Sequence, residues 1–98
     1  MTTVTRERTY STTEVSALSG ATYRQLDYWD RSRLISPSVP ATGSGSTREY
    51  TERDLEDVQL IMALVDAGIT LNSIRRLGPR KTAQRVAAAL ERILAGAA

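Results

Sequence analysis

Gly20-Ala21-Thr22-Tyr23-Arg24-Gln25-Leu26-Asp27-Tyr28-Trp29-Asp30-Arg31-Ser32-Arg33 is the stretch that decides the fold. Gly20 supplies a residue that tolerates positive φ, as a tight turn requires. Thr22 is a natural N-cap, because its hydroxyl can accept a bond from a free backbone N–H of the first helical turn. The helix that follows, read over 23–33, places Tyr23, Leu26 and Asp30 on one face with Trp29 beside them. Arg24, Asp27 and Tyr28 fall on another face. Just upstream, Ser11 and Glu14 have the spacing of a capping box. They start a helix that runs to Ser19, with Val15 and Leu18 expected inward. Two short helices joined by a glycine-containing turn form a helix-turn-helix.

Outward from this unit, residues 1–9 are rich in Thr and Arg, lack periodicity and read as a flexible arm. On the other side, Leu34, Ile35 and Pro37 close the unit, and Pro37 and Pro40 favour extended backbone. Residues 41–47 read Ala-Thr-Gly-Ser-Gly-Ser-Thr. Flanked by potential strands at 35–39 and 48–50, they are expected to form the tip of a hairpin, a wing; a linker between domains is the competing reading. Thr51, with Asp54 three residues on, begins a helix whose Leu55, Val58, Leu60, Ile61, Leu64 and Val65 recur at helical spacing. Ala67-Gly68 ends it. A short helix follows with Leu71, Ile74 and Leu77 inward, and Gly78-Pro79 breaks the chain again. The last helix, 80–94, carries Ala83, Val86, Ala87, Leu90, Ile93 and Leu94 on one stripe, opposite Lys81, Arg85, Glu91 and Arg92. The expected fold class is mainly α: a winged helix-turn-helix with a small β-hairpin wing and a C-terminal amphipathic helix. The expected division is an arm at 1–9, a winged domain at 10–77 and a helix at 80–95.

Composition narrows the chemistry. With 98 residues, 41% apolar and 24% charged, the chain has the make-up of one soluble domain. It contains no Cys and no His. Disulfides, imidazole chemistry and soft metal sites are therefore excluded, and the usual nucleophile and general-base pairs are missing. Glu52, Asp54, Glu56 and Asp57 read as a solvated acidic face. Gly43-Ser44-Gly45 lacks the lysine and helix that a phosphate-cradling loop needs. The expectation is a non-enzyme without a cofactor. No apolar run is long enough to span a bilayer, and the N-terminus has no apolar signal core, so the expected location is the cytoplasm. The net charge is only +2, but every cation except Lys81 is an arginine, the side chain suited to forked recognition of phosphate and guanine. A solvated mixed-charge surface would account for the same charge.

The ordered set of elements resembles the MerR family of transcription regulators over about Tyr10 to Leu77. The second helix carries an Arg-x-Leu-x-aromatic-aromatic-acid run, here Arg24-Gln25-Leu26-Asp27-Tyr28-Trp29-Asp30. Arg33-Leu34-Ile35-Ser36-Pro37 stands where the family has a Gly-Leu-x-x-Pro-like segment. The returning strand is Arg48-Glu49-Tyr50, the next helix starts at Thr51-Glu52-Arg53-Asp54-Leu55, and Asp66-Ala67-Gly68-Ile69-Thr70-Leu71 with Ile74 matches the family's Leu-Gly-Phe-Ser-Leu-x-x-Ile pattern.

The resemblance implies a sequence-specific transcription regulator that binds a pseudo-palindromic site in double-stranded DNA as a homodimer, with RNA polymerase as a further partner. It assigns DNA contacts to Thr12, Thr22, Tyr23, Arg24, Asp27, Tyr28, Arg31, Arg48 and Tyr50. Four have a plainer alternative: Arg24 pairs with Asp27, Tyr23 and Tyr50 pack in the core, and Arg48 is an exposed edge-strand arginine. Trp29 reads as core. Arg75, Arg76, Arg80 and Lys81 either extend the phosphate footprint or solvate a helix end. Val86, Leu90, Ile93 and Leu94 are assigned to dimerisation, since the family pairs through an antiparallel coiled coil; an intramolecular amphipathic helix is the alternative.

Two positions depart from the family. Asp27 replaces a residue that is often basic, and would repel phosphate or accept from a cytosine amino group. Ser46-Thr47 stand where the wing usually has Gly-Tyr. An excisionase-like or architectural DNA-binding factor with the same fold is the alternative function, and a protein-interaction module is a third.

Overall fold

The computed structural model describes residues 8–35 and 48–96. The order of elements is β1 (Thr9–Ser11), α1 (Thr12–Ser19), α2 (Tyr23–Arg31), β2 (Glu49–Thr51), α3 (Glu52–Asp66), α4 (Leu71–Leu77) and α5 (Pro79–Gly96). The expected mainly helical class with a small sheet holds. The chain divides into two compact units, one ending at Gln59 and the other beginning at Leu60, within α3.

In the first unit, β1 and β2 pair antiparallel, with Tyr10 opposite Tyr50 and both rings buried. Each strand turns into a helix through the same device. The Ser11 N–H donates to Glu14 Oε1 at 2.9 Å while the Glu14 N–H donates to Ser11 Oγ at 3.1 Å. The Thr51 N–H donates to Asp54 Oδ2 at 2.9 Å while the Asp54 N–H donates to Thr51 Oγ1 at 3.2 Å. Both arrangements satisfy orphan donors at a helix start. Val15 from α1, Leu26 and Trp29 from α2, and Leu55 and Val58 from α3 are buried.

Three sequence expectations change here. Thr9, read as the end of the arm, opens β1, a strand too short to show a period of two. Leu18 is exposed rather than inward; α1 has only eight residues, and Val15 is its one buried side chain. Helix α2 stops at Arg31 rather than Arg33, because Arg33 takes a left-handed φ of 61°. The Arg33 N–H donates to Asp30 O at 3.1 Å and the Leu34 N–H donates to Trp29 O at 2.9 Å. That is the bonding pattern of a Schellman C-cap. The expected wing tip and its first strand fall on 36–47, outside the described residues.

In the second unit, α3 ends in the same closing pattern, this time around a glycine. Gly68 has φ of 96°, its N–H donates to Val65 O at 3.0 Å, and the Ile69 N–H donates to Leu64 O at 2.9 Å. Thr70 caps α4, accepting from the Ser73 N–H at 3.2 Å. Pro79 is the first residue of α5, a position where its missing N–H costs nothing. The Thr82 hydroxyl and N–H both donate to Gly78 O, at 2.7 and 3.0 Å. Helix α4 packs on α5, and Ile61, Leu64, Ile74 and Thr82 are buried. Val65 and Leu77, expected inward, are exposed, as are Leu90, Ile93 and Leu94 of α5. Helical spacing marked these residues as a stripe without marking what covers it.

Candidate nucleic-acid interface

Helix α2 is held rigidly from behind. Leu26 and Trp29 are each 2% exposed, and these bulky side chains fix the helix to the unit. At its N-terminus, Thr22 Oγ1 accepts from the Gln25 N–H at 3.1 Å and Gln25 Oε1 accepts from the Thr22 N–H at 2.9 Å. The opposite face carries Arg24, Asp27, Tyr28 and Arg31, spaced i, i+3, i+4 and i+7, which is one surface of a helix. Arg24, Tyr28 and Arg31 are exposed, and Asp27 is half-buried.

The charges on this face are organised around Asp27. Its Oδ2 lies 2.6 Å from Arg31 Nη2, one helical turn on, and its Oδ1 lies 3.1 Å from Arg48 Nη2. Arg48 stands immediately before β2 and also places Nε 2.9 Å from Asp30 Oδ2. Its hydrogen bond to Asp27 is the main reason the Asp27 carboxyl is held below its ordinary pKa; partial desolvation opposes this, and the positive charges of Arg31 and Arg48 add to it. The same bond raises the Arg48 pKa, again against desolvation. Arg24 has no ion pair among the described residues. The expected alternative, an Arg24–Asp27 pair, is replaced by the i,i+4 pair with Arg31 and by the cross-link to Arg48.

The remaining candidates sit as follows. Tyr23 is exposed, and its hydroxyl shares a 2.7 Å hydrogen bond with Thr13 Oγ1, tying the start of α2 to the start of α1. Thr12 is the half-buried first residue of α1. Tyr50 is buried, and burial is the main cause of its raised pKa. Its hydroxyl lies beside Thr12 and Arg48 without reaching full hydrogen-bond geometry to either. Thus Arg24, Asp27, Tyr28 and Arg31 share one face of α2, to which Arg48 is tied through Asp27, whereas Tyr50 is buried. In the second unit, Val86 is half-buried and Leu90, Ile93 and Leu94 are exposed along α5.

Sequence reasoning missed three participants. Asp30, placed with Tyr23 and Leu26 on the face away from Arg24, holds Arg48. Thr13 was not singled out as a partner of Tyr23. Arg8 lies 4.4 Å from the centroid of the Tyr10 ring and 3.3 Å from Glu14 Oε2. The i,i+4 spacing could have revealed the Asp27–Arg31 pair. No local signal pointed to Arg48 as a partner of Asp27, 21 residues away.

Among the described residues, no group of three or more metal-ligating side chains converges, and no helix is long and apolar enough to cross a membrane. The sequence profile of the family described as MerR HTH family regulatory protein matches residues 10–81. An uncharacterized HTH-type transcriptional regulator of Mycobacterium bovis, Mb1861, is 48% identical over 59 residues, which cover 59% of this chain and 26% of that protein. The HTH-type transcriptional activator mta of Bacillus subtilis is 31% identical over 68 residues, 69% of this chain and 26% of that protein. The chain thus spans about a quarter of the length of these relatives.

Two solved structures share the fold. A MerR family transcriptional regulator from Bacillus cereus is similar at a TM-score of 0.62 and 25% identity, over 89% of this chain and 73% of that one. HiNmlR, described as a MerR family regulator lacking the sensor domain and bound to promoter DNA, is similar at a TM-score of 0.60 and 24% identity, over 89% of this chain and 79% of that one.

Proposed function

The chain belongs to the MerR HTH family of regulatory proteins, and from that premise we propose that it is a transcription regulator that recognises duplex DNA by laying α2 in the major groove. The observation that carries this reading is the outward face of α2. A short helix, capped at its N-terminus and backed by Leu26 and Trp29, presents Arg24, Tyr28 and Arg31 at successive turns. Recognition helices place their N-terminal residues against base edges, with flanking side chains on the phosphates. Arg24 is in the base-reading position and free of internal ion pairs among the described residues. Tyr23 and Tyr28 offer hydroxyls to backbone phosphates. The DNA-binding part is the 10–77 domain, and the protein works in the cytoplasm, where duplex DNA and RNA polymerase are found.

A second copy completes the reading. Helix-turn-helix dimers bind two half-sites about one helical turn apart, so their sites are pseudo-palindromic. Helix α5 supplies the seam, with Val86, Leu90, Ile93 and Leu94 on the pairing stripe.

Selecting bound sites from a random DNA pool tests both parts. A site with two related half-sites is expected, and Arg24→Ala should weaken its binding by about 1–3 kcal/mol, the worth of one well-formed base contact. Recovery of no discrete site, together with unchanged binding by Arg24→Ala, defeats the proposal.

A further inference from the structure

We propose that Asp27 is a specificity-determining residue: its carboxylate fills the anion position between Arg31 and Arg48 and withholds their guanidinium groups from DNA phosphates until a base-edge donor engages Asp27. The inference rests on the DNA-binding reading above and goes one step further, to how the α2 surface discriminates between sequences.

The two Asp27 oxygens are taken by two different arginines, at 2.6 and 3.1 Å. Two guanidiniums converging on one tetrahedral or planar anion is how proteins hold phosphate. Here the anion is the protein's own. The two arginines are not equally committed. Arg48 is seated by a second carboxylate, Asp30, and its side chain is 27% exposed; Arg31 pairs only with Asp27 among the described residues and is 73% exposed. Arg31 is therefore the group that exchanges, and Arg48 keeps Asp27 in place.

A phosphate arriving alone gains little from this surface. It would have to pull Arg31 from a carboxylate of the same sign of charge, leaving Asp27 less neutralised beside the incoming anion. A base that offers an amino group is different. Asp27 lies on the same outward face as Arg24 and Tyr28, and a carboxylate accepts from the exocyclic amino group of cytosine. That bond replaces the one to Arg31 and frees a cation for the neighbouring phosphate. Base recognition and backbone binding are thereby coupled through one side chain.

The full chain can be titrated with a random-sequence DNA duplex and with heparin across a salt series. The variants needed are Asp27→Asn, Asp27→Asn with Arg31→Gln, and Glu91→Gln as a charge-matched control on α5, with circular dichroism verifying the fold of each. Asp27→Asn is expected to bind both polyanions about tenfold more tightly, with a salt slope steeper by about one to two phosphates at ~0.9 each. Adding Arg31→Gln should remove about one phosphate of that gain, and Glu91→Gln should produce a smaller change than Asp27→Asn. In selection from a random pool, Asp27→Asn should weaken the preference for cytosine at one position per half-site, because its amide oxygen is a poorer acceptor than the carboxylate and its NH2 group admits adenine.

A folded Asp27→Asn that binds neither polyanion more tightly overturns the inference while a wild-type selected site keeps the DNA-binding reading. Gain on heparin with no selected site for the wild type overturns the DNA-binding reading and the specificity role together. Gain on both polyanions with unaltered base preference overturns the coupling to sequence.

Discussion

Helices α2 and α5 are both amphipathic, and they dispose of their apolar sides in opposite ways. Helix α2, Tyr23–Arg31, buries Leu26 and Trp29 and turns a charged face outward, where most of the charges are paired. Helix α5, Pro79–Gly96, is twice as long, yet its one buried side chain is Thr82, which bonds back to Gly78 O. Its large apolar residues stand in the open: Ile93 is 67% exposed and Leu94 is 73% exposed. An apolar stripe at helical spacing therefore means two different things in one chain. On α2 it is an intramolecular anchor. On α5 it is left exposed among the described residues, and the proposed function gives it to a second copy.

The largest effect that can break this contrast is loss of the α2 anchor. Trp29→Ala should destabilise the first unit by about 3–5 kcal/mol, the usual cost of emptying a buried aromatic site. The chain has a single tryptophan, so the wild-type fluorescence follows this unit alone, and amide exchange can follow the variant. Retention of wild-type protection at Leu26 and Val58 would mean that α2 is not anchored by Trp29. Next in size are the caps. Thr51→Ala removes the acceptor for the Asp54 N–H and should cost about 1 kcal/mol, read as a lower unfolding midpoint in urea. An unchanged midpoint would deny the cap a role in the strand-to-helix turn.

The pattern of what was legible follows the same line. The two helices of the motif were readable because their signals are local: Ser11 with Glu14, Gly20 in the turn, and Thr22 as an N-cap all act within four residues. Strand β1 was not, because three residues show no alternation and the partner strand lies some 40 residues away. The Arg48 bridge was hidden for the same reason. Side-chain direction was the least readable property. Leu18, Val65 and Leu77 all sit at core spacing near helix ends, where a turn of helix can extend past the surface it packs on.

Acid should act on the first unit through its paired carboxylates. The Asp27 carboxyl is lowered mainly by the Arg48 hydrogen bond, and the Glu14 carboxyl mainly by the Ser11 backbone N–H. A folded pKa below the unfolded one means the stabilisation is present above the unfolded value of about 4 and is lost as pH falls through the folded value. Thermal midpoints followed by Trp29 fluorescence should therefore fall below about pH 4. The fall should be shallower in Asp27→Asn and weaker in high salt, because both carboxylates are partly exposed to solvent. A midpoint that stays level from neutral to low pH would show that these pairs hold nothing in the fold.

The smallest expected effect compares the two Schellman ends. Helix α3 closes on Gly68 at φ 96°, and α2 closes on Arg33 at φ 61°. A residue with a Cβ is strained in this region, whereas glycine enters it freely. Glycine also gains freedom in the unfolded chain, which offsets part of the benefit. Arg33→Gly should therefore stabilise the first unit by about 0.5–1 kcal/mol, raising the midpoint of Trp29 fluorescence in urea, while Gly68→Arg should destabilise the second unit by a similar amount. Because Arg33 is exposed and has no ion pair among the described residues, the gain is not cancelled by a lost contact. A neutral or destabilising Arg33→Gly would mean that the freedom glycine gains in the unfolded chain matches or exceeds the strain relieved at φ 61°, and the left-handed arginine would then cost the C-cap nothing that glycine could recover.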